Sequence, residues 1–276
     1  MRYSRPQTLP EAVALLSSGT AQVLAGGTDL YPATQAQDLA GDVLDVTAIP
    51  ALCGIDRTAD GLRIGAATTW STLAEAALPP ALHALQQAAL QVGGRQIQNA
   101  GTIGGNLCNA SPAADGIPPL LALDAGVELA GPDGSRHLPL AAFLLGPRRT
   151  ALGQGEVLAA IHIPAAALAG RSCFLKLGAR AHLVISIAMV AANLTLDGPR
   201  IAKARLAVGA CGPVATRLPE LEHALTGHSL QDAPALITEA ALARALAPID
   251  DIRATAAYRL TAATELLRRA VAGCAA

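Results

Sequence analysis

Gly93-Gly94-Arg95-Gln96-Ile97-Gln98-Asn99-Ala100-Gly101-Thr102-Ile103-Gly104-Gly105-Asn106-Leu107-Cys108-Asn109-Ala110-Ser111-Pro112-Ala113-Ala114-Asp115 is the stretch on which the reading of this chain turns. Glycine pairs alternate in it with hydroxyl and amide side chains. Paired glycines let the backbone take positive φ and let a ligand approach with no Cβ in the way. Successive exposed N–H groups in such turns form an anion-binding nest. A second motif of this kind stands upstream, in Val23-Leu24-Ala25-Gly26-Gly27-Thr28-Asp29-Leu30. Thr28, Thr102 and Asn106 add side-chain donors. Two nests on one chain suit a diphosphate, whose two phosphates each need several donors. Taken singly, each pair reads more readily as a tight turn, where glycine is expected; only the two together, each flanked by hydroxyl and amide residues, read equally well as a ligand site. Neither is a dinucleotide fingerprint. Gly101-x-x-Gly104-Gly105 lacks the G-x-G-x-x-G order, and no strand–helix–strand repeat surrounds it. There is no G-x-x-x-x-G-K-[ST] phosphate loop either, so the Rossmann and nucleotide triphosphatase readings fail.

Two charged residues extend the candidate site. Asp115 ends the quoted stretch, where it can accept from a sugar or ribityl hydroxyl or cap a helix starting at Gly116. Lys176 interrupts an apolar strand, Cys173-Phe174-Leu175-Lys176-Leu177. If buried it needs an anionic partner, and a phosphate would serve; on the strand's solvent face it needs none.

Working outward, Thr8-Leu9-Pro10-Glu11 is a capping box that predicts a helix through Leu16. Short strands are expected at 22–25 and 43–46, a hairpin about Thr58-Ala59-Asp60-Gly61, and a helix over 79–92 stopped by Gly93-Gly94. The segment 100–106 reads as a glycine-rich loop and 116–123 as a helix. A second hairpin is expected about Pro132-Asp133-Gly134, then a strand at 157–163 closed by Pro164. After a linker at 165–170 the pattern changes to long strands at 172–177, 185–196 and 201–209, then helices at 218–225, 233–246 and 254–272. Strands followed by helices predict an antiparallel sheet with helices on one face.

Composition narrows the function classes. A length of 276 residues with 52% hydrophobic and 15% charged residues suits two or three compact units. A net charge of −1 argues against nucleic acid or an anionic membrane as partner. Aromatics at 2% leave no stacking platform for single-stranded nucleic acid. The N-terminus lacks an apolar signal core, and the apolar run from Leu183 to Leu196 is broken by Ser186, Asn193 and Thr195. It falls short of the roughly 20 residues a membrane helix needs, so a cytoplasmic location is expected. Cys53, Cys108, Cys173, Cys211 and Cys274 form no C-x-x-C pair. They read as buried thiols, not as cluster ligands, a zinc site or disulfides.

The quoted stretch resembles the FAD-binding signature of molybdenum hydroxylase flavoproteins, the medium subunits of the xanthine dehydrogenase and carbon monoxide dehydrogenase type. The resemblance runs the whole length of the chain. Val23 to Leu30 is similar to the family's other flavin loop. Gly146-Pro147-Arg148-Arg149-Thr150, Glu156-Val157-Leu158 and Ile161-His162-Ile163-Pro164 match the run before the domain boundary. Asp251-Ile252-Arg253-Ala254-Thr255-Ala256-Ala257-Tyr258-Arg259 resembles the signature of the C-terminal flavoprotein domain.

The resemblance implies an α+β fold: a two-lobed FAD-binding unit of the vanillyl-alcohol-oxidase type, then a C-terminal α+β domain of antiparallel sheet and helices. The implied divisions are 1–55, 56–168 and 169–276. FAD would lie between the lobes, with Val23, Leu24, Ala25, Gly26, Gly27, Thr28, Asp29 and Leu30, together with Thr102, Ile103, Gly104, Gly105 and Asn106, holding the pyrophosphate and ribityl chain. Asp115, Leu158 and Lys176 fall on positions that contact FAD in relatives, and Val92 on one that flanks it. No histidine or cysteine stands where this broader fold attaches flavin covalently, so non-covalent FAD is expected. Electrons would come from iron–sulfur clusters and a molybdopterin centre on partners, an iron–sulfur small subunit and a molybdopterin large subunit, in a dimer of heterotrimers. No acid–base residue and no metal ligand is assigned. The loop after Lys176, where NAD-reducing relatives often carry acids, holds Leu183 and Val184 here, which leaves the acceptor open. The competing readings are a freestanding flavin oxidoreductase and a non-catalytic nucleotide-binding module.

Overall fold

The computed structural model describes residues 2–34 and 39–275. The chain opens with β1 (Tyr3–Ser4), α1 (Leu9–Ser17), β2 (Gln22–Leu24), the short α2 (Leu30–Ala33) and β3 (Val43–Asp45). The three strands form a parallel sheet in the order β1-β3-β2. Thr8 caps α1, its Oγ1 accepting from the Glu11 N–H at 3.4 Å, while Glu11 Oε2 accepts from the Gln7 N–H at 3.0 Å. The expected capping box is thus present, with its return bond one residue early. Ala12, Val13 and Leu16 of α1 pack on Leu44, Val46 and Ile49.

The second unit runs through β4 (Ile55–Thr58), β5 (Gly61–Gly65), α3 (Trp70–Glu75), α4 (His83–Ala89), α5 (Arg95–Ala100), α6 (Ile103–Asn109) and α7 (Ile117–Ala122). It continues with β6 (Gly126–Gly131), β7 (Gly134–Pro139), α8 (Leu140–Phe143), β8 (Leu144–Gly146), β9 (Arg149–Thr150) and β10 (Val157–Pro164). β4-β5-β10-β6-β7 make an antiparallel sheet with β10 at its centre. The segment expected as a glycine-rich loop is helical from Ile103, and neither Gly104 nor Gly105 takes positive φ. Two glycines cost a helix about 1 kcal/mol each. Burial outweighs that cost, because Ile103 and Leu107 are both fully buried in the core of this unit.

The third unit is a four-stranded antiparallel sheet of β11 (Arg171–Leu177), β12 (Ala188–Asp197), β13 (Arg200–Gly209) and β14 (Thr216–Arg217), in sequence order. It is followed by α9 (Pro219–Leu225), α10 (Ala233–Leu236), α11 (Glu239–Ala243) and α12 (Ala256–Gly273). The single helix expected over 233–246 is broken, because Thr238 leaves the helix and caps α11, accepting from the Ala241 N–H at 3.2 Å. The expectation of helices on one face is also incomplete. Ala188, Val190, Ala192 and Leu194 face the sheet's own helices, while Met189 and Ala191 meet Ala84, Ala88 and Ala122 of α4 and α7. Alternate residues of β12 therefore enter two different cores, which is why its first five residues, Ala188 to Ala192, are all apolar.

Two buried arginines tie the fold together, the first between the second and third units and the second within the third. Arg205 of β13, 1% exposed, pairs with Asp124 just beyond α7. Arg259 of α12, also 1% exposed, donates to Ile187 O at 2.6 Å, Ala210 O at 3.1 Å and Asp251 Oδ1 at 2.6 Å. The stretch Asp251 to Arg259 is therefore a clamp on the sheet. Hydrogen bonds from the Arg253 side chain and backbone, then from Arg259, hold the Asp251 carboxyl well below the usual range. A carboxyl lowered on folding adds stability above its unfolded value, here near 3.8, and loses it as pH falls. Asp251→Asn is accordingly expected to melt earlier than wild type at neutral pH, with the gap closing only below about pH 4. Thermal melts by circular dichroism at stepped pH would check this, and a gap that stays constant into acid would contradict it. Among the described residues, no helix is long and apolar enough to cross a membrane.

Candidate cofactor cavity

A cavity of about 420 Å³ opens between the turn after β2, the start of α6 and the start of β10. Val23 to Leu30, Val92, Thr102, Gly104, Gly105, Asn106 and Leu158 all reach its wall. The two glycine motifs, far apart in sequence, touch each other. A Cβ on Gly26 would stand 1.9 Å from Ala100 O and 2.8 Å from Gly101 Cα, so only glycine lets the first turn lie on the α5–α6 junction. Gly27 takes φ +68°, with the Tyr31 ring where a side chain would go.

Only the first motif is a nest. The N–H groups of Gly26, Gly27, Thr28 and Asp29 donate to none of the described residues. In the second motif the Ile103 N–H donates to Thr68 O at 3.0 Å and the Gly104 N–H to Ala66 O at 2.8 Å. Gly105 and Asn106 spend their N–H groups on Thr102, at Oγ1 and O. What this motif offers the cavity is the bare Gly105 and the Asn106 carboxamide, whose buried Oδ1 has no donor. Ile103 does not reach the wall; its side chain is core.

Asp115 and Lys176 also stand off the wall, and they come to each other. Lys176 Nζ lies 2.5 Å from Asp115 Oδ2, with the two side chains 6% and 8% exposed. Ser186 Oγ donates to Asp115 Oδ1 at 2.7 Å. Burial pushes the Asp115 carboxyl up, and Lys176 and Ser186 oppose that rise. The lysine's charge thus has a protein partner, and the aspartate is not the cap of α7, where Gly116 supplies no side-chain bond. The segment that follows is folded over: the Leu183 carbonyl accepts from the Arg180 guanidinium, and the Leu183 side chain lies on Gly94. Leu183 itself is 57% exposed.

The wall also holds residues that sequence patterns did not single out, among them Trp70, Ile97, Cys108, Asn109, Leu152 and Glu156. A lone tryptophan after Thr68-Thr69 and an asparagine in the quoted stretch were the available signals, and both types are common elsewhere. Asn109 Oδ1 is engaged by Arg148 at 2.8 Å. Glu156 is bound by Arg136 at 2.6 and 2.7 Å, which holds its carboxyl below the usual range. A cysteine does reach the wall, but burial pushes the Cys108 thiol up to about 12, so it is neutral and a poor nucleophile. Among the described residues no histidine lines the cavity. No cluster of three or more metal-ligating side chains occurs among the described residues.

Residues 1–166 match the family model described as the FAD binding domain in molybdopterin dehydrogenase. Residues 174–273 match the carbon monoxide dehydrogenase flavoprotein C-terminal domain. The chain is 35% identical to the xanthine dehydrogenase FAD-binding subunit of Escherichia coli, over 94% of this chain and 90% of that one. It is 34% identical to the carbon monoxide dehydrogenase medium chain of Afipia carboxidovorans, over 98% and 94%. Quinoline 2-oxidoreductase from Pseudomonas putida superposes with a TM-score of 0.89 at 25% identity, covering 100% of this chain and 96% of the other. With its nest, its cavity and both domains accounted for, the chain belongs to the FAD-binding subunits of the molybdenum hydroxylases, oxidoreductases of the xanthine and carbon monoxide dehydrogenase type.

Proposed function

We propose that FAD lies in this cavity with its pyrophosphate on the Gly26–Asp29 nest and its ribityl chain along Thr102 to Asn106, with Val92 and Leu158 lining the path. The observation that carries this is the run of four N–H groups at Gly26, Gly27, Thr28 and Asp29 that donate to none of the described residues and border the cavity, donors suited to a phosphate. The orphan Asn106 Oδ1 adds an acceptor for a ligand donor. Bound there, FAD supplies two-electron storage and one-electron exchange. The chain's own residues bind it, orient it and exclude water, as apoproteins of flavin carriers do. The Asp115–Lys176 pair acts behind the wall, fixing the turn before α7 to β11. The proposed units are 1–55, 56–168 and 169–276, and they are supported by the parallel sheet of β1 to β3, the sheet around β10 and the sheet of β11 to β14, with the first boundary falling at the start of β4.

Electrons reach the flavin from an iron–sulfur small subunit, itself fed by a molybdopterin large subunit, in a dimer of heterotrimers. They leave for an external acceptor past the apolar Leu183 and Val184, which offer a nicotinamide ribose neither charge nor hydrogen bonds. The test is co-purification from the native host, followed by acid release. One flavin per chain freed by acid, together with both partners, is the expected result. In steady-state assays NAD is expected to have a lower kcat/KM than oxygen or a quinone dye. Flavin that stays on the denatured polypeptide, or a free monomer oxidising small reductants alone, would overturn the reading.

A further inference from the structure

Trp70 is the one tryptophan of the sequence, and it is 1% exposed. It opens α3, where Thr69 Oγ1 caps the helix by accepting from the Thr72 N–H at 3.2 Å. Its ring lies along two glycines. A Cβ on Gly101 would stand 3.3 Å from Trp70 Cδ1, and one on Gly116 2.5 Å from Cη2. Both contacts fall on the long edge of the indole that carries Nε1. That N–H donates to none of the described residues, nor is it sealed in the interior as an orphan. Trp70 is itself part of the cavity wall. A tryptophan this deeply placed ordinarily finds an acceptor for its N–H.

The complement lies beside it. Asn106 Oδ1 is buried without a donor and stands 2.9 Å from the same Cβ position on Gly116. Gly116 thus touches the benzo end of the indole and the Asn106 carboxamide together, and both residues, one with an unmet donor and one with an unmet acceptor, line the same cavity. Leaving both unmet is costly. A single hydroxyl meets both, because it accepts through oxygen and donates through hydrogen. The first motif lies at the same junction, with Gly26 against Ala100 and Gly101, and with Thr28 Oγ1 and Trp70 Cδ1 each 3.3 Å from the Cβ position of Gly101. A group within reach of both the nest and the indole is on the polyol joined to the phosphates.

We propose that Trp70 Nε1–H and Asn106 Oδ1 together hold one hydroxyl of the FAD ribityl chain, which makes Trp70 a cofactor-positioning residue. This rests on the reading of the cavity as an FAD site. The test is binding of FAD and of its 2′-, 3′- and 4′-deoxy analogues to the full apoprotein, read by calorimetry. Because the chain has a single tryptophan, growth on the benzothiophene analogue replaces that N–H by sulfur with little change of shape. In wild type, one deoxy analogue is expected to bind roughly tenfold more weakly than FAD, the size of one hydrogen bond. In the sulfur-substituted chain FAD should weaken by a similar factor, and its advantage over that analogue should shrink to what the Asn106 bond alone supplies. Trp70→Phe, with a thermal melt to confirm folding, should behave likewise. Undiminished FAD affinity on substitution, or a loss shared equally by FAD and every analogue, would overturn the proposal. Wild type that binds no FAD at all would overturn the cavity reading itself.

Discussion

Gly105→Val should give a folded chain that holds little FAD, whereas Gly104→Val should damage the fold itself. The two glycines are neighbours in sequence but face different surroundings. A Cβ on Gly104 would lie 2.6 Å from both Ala66 Cβ and Ala66 O, at the end of β5. Backbone cannot give way there, and overpacking of this kind costs about 1–3 kcal/mol or more. A Cβ on Gly105 would meet only Thr102 Oγ1, at 3.0 Å, and otherwise projects into the cavity. The valine methyls would occupy cofactor space, so flavin content should fall below roughly a tenth of wild type, a loss of more than about 1.4 kcal/mol of binding. Flavin released per polypeptide, set beside a circular dichroism melt, separates the two effects. Full flavin content in Gly105→Val would mean that this helix start does not border FAD.

Lys176→Met should be the most destabilising single change in the candidate site. It leaves the Asp115 carboxylate, 8% exposed, with only Ser186 and no cation. Breaking one side of a buried pair costs about 3–5 kcal/mol, and a chain of this size loses about 2–4 °C of Tm per kcal/mol. The double variant Lys176→Met with Asp115→Leu should recover most of the loss, because no buried charge is then uncompensated. Thermal and urea melts of the apoprotein read this without any cofactor. If Lys176→Met melted like wild type but lost FAD, the lysine would be a cofactor contact after all, and the pair with Asp115 would be incidental.

Much of this architecture was legible because it is local. The Thr8 cap, the hairpins at Thr58–Gly61 and Pro132–Gly134, and the strands β11 to β13 are set by neighbours within a few residues. Such neighbours form the same turns and caps wherever the chain goes. The two glycine motifs were legible as candidate ligand turns for the same reason. What sequence left open was how far each motif was spent on its own backbone. That depends on Ala66 and Thr68, which lie more than thirty residues before Gly104 and take the N–H groups that a free nest would have offered. The partner of Lys176 could not be read either, since Asp115 is 61 residues away and a phosphate would satisfy the same charge. The sheet of β11 to β14 has two covered faces because α4 and α7, from the preceding unit, pack on the second one. Its residues alternate between two cores, and in a linear pattern that alternation is indistinguishable from a uniformly apolar strand. By itself, then, the sequence determined the family and most of the elements, but not the helix that starts at Ile103 or the break at Thr238. Tertiary structure alone decided which polar groups remained unpaired, because an N–H or carboxylate is free or satisfied only according to what long-range packing brings against it.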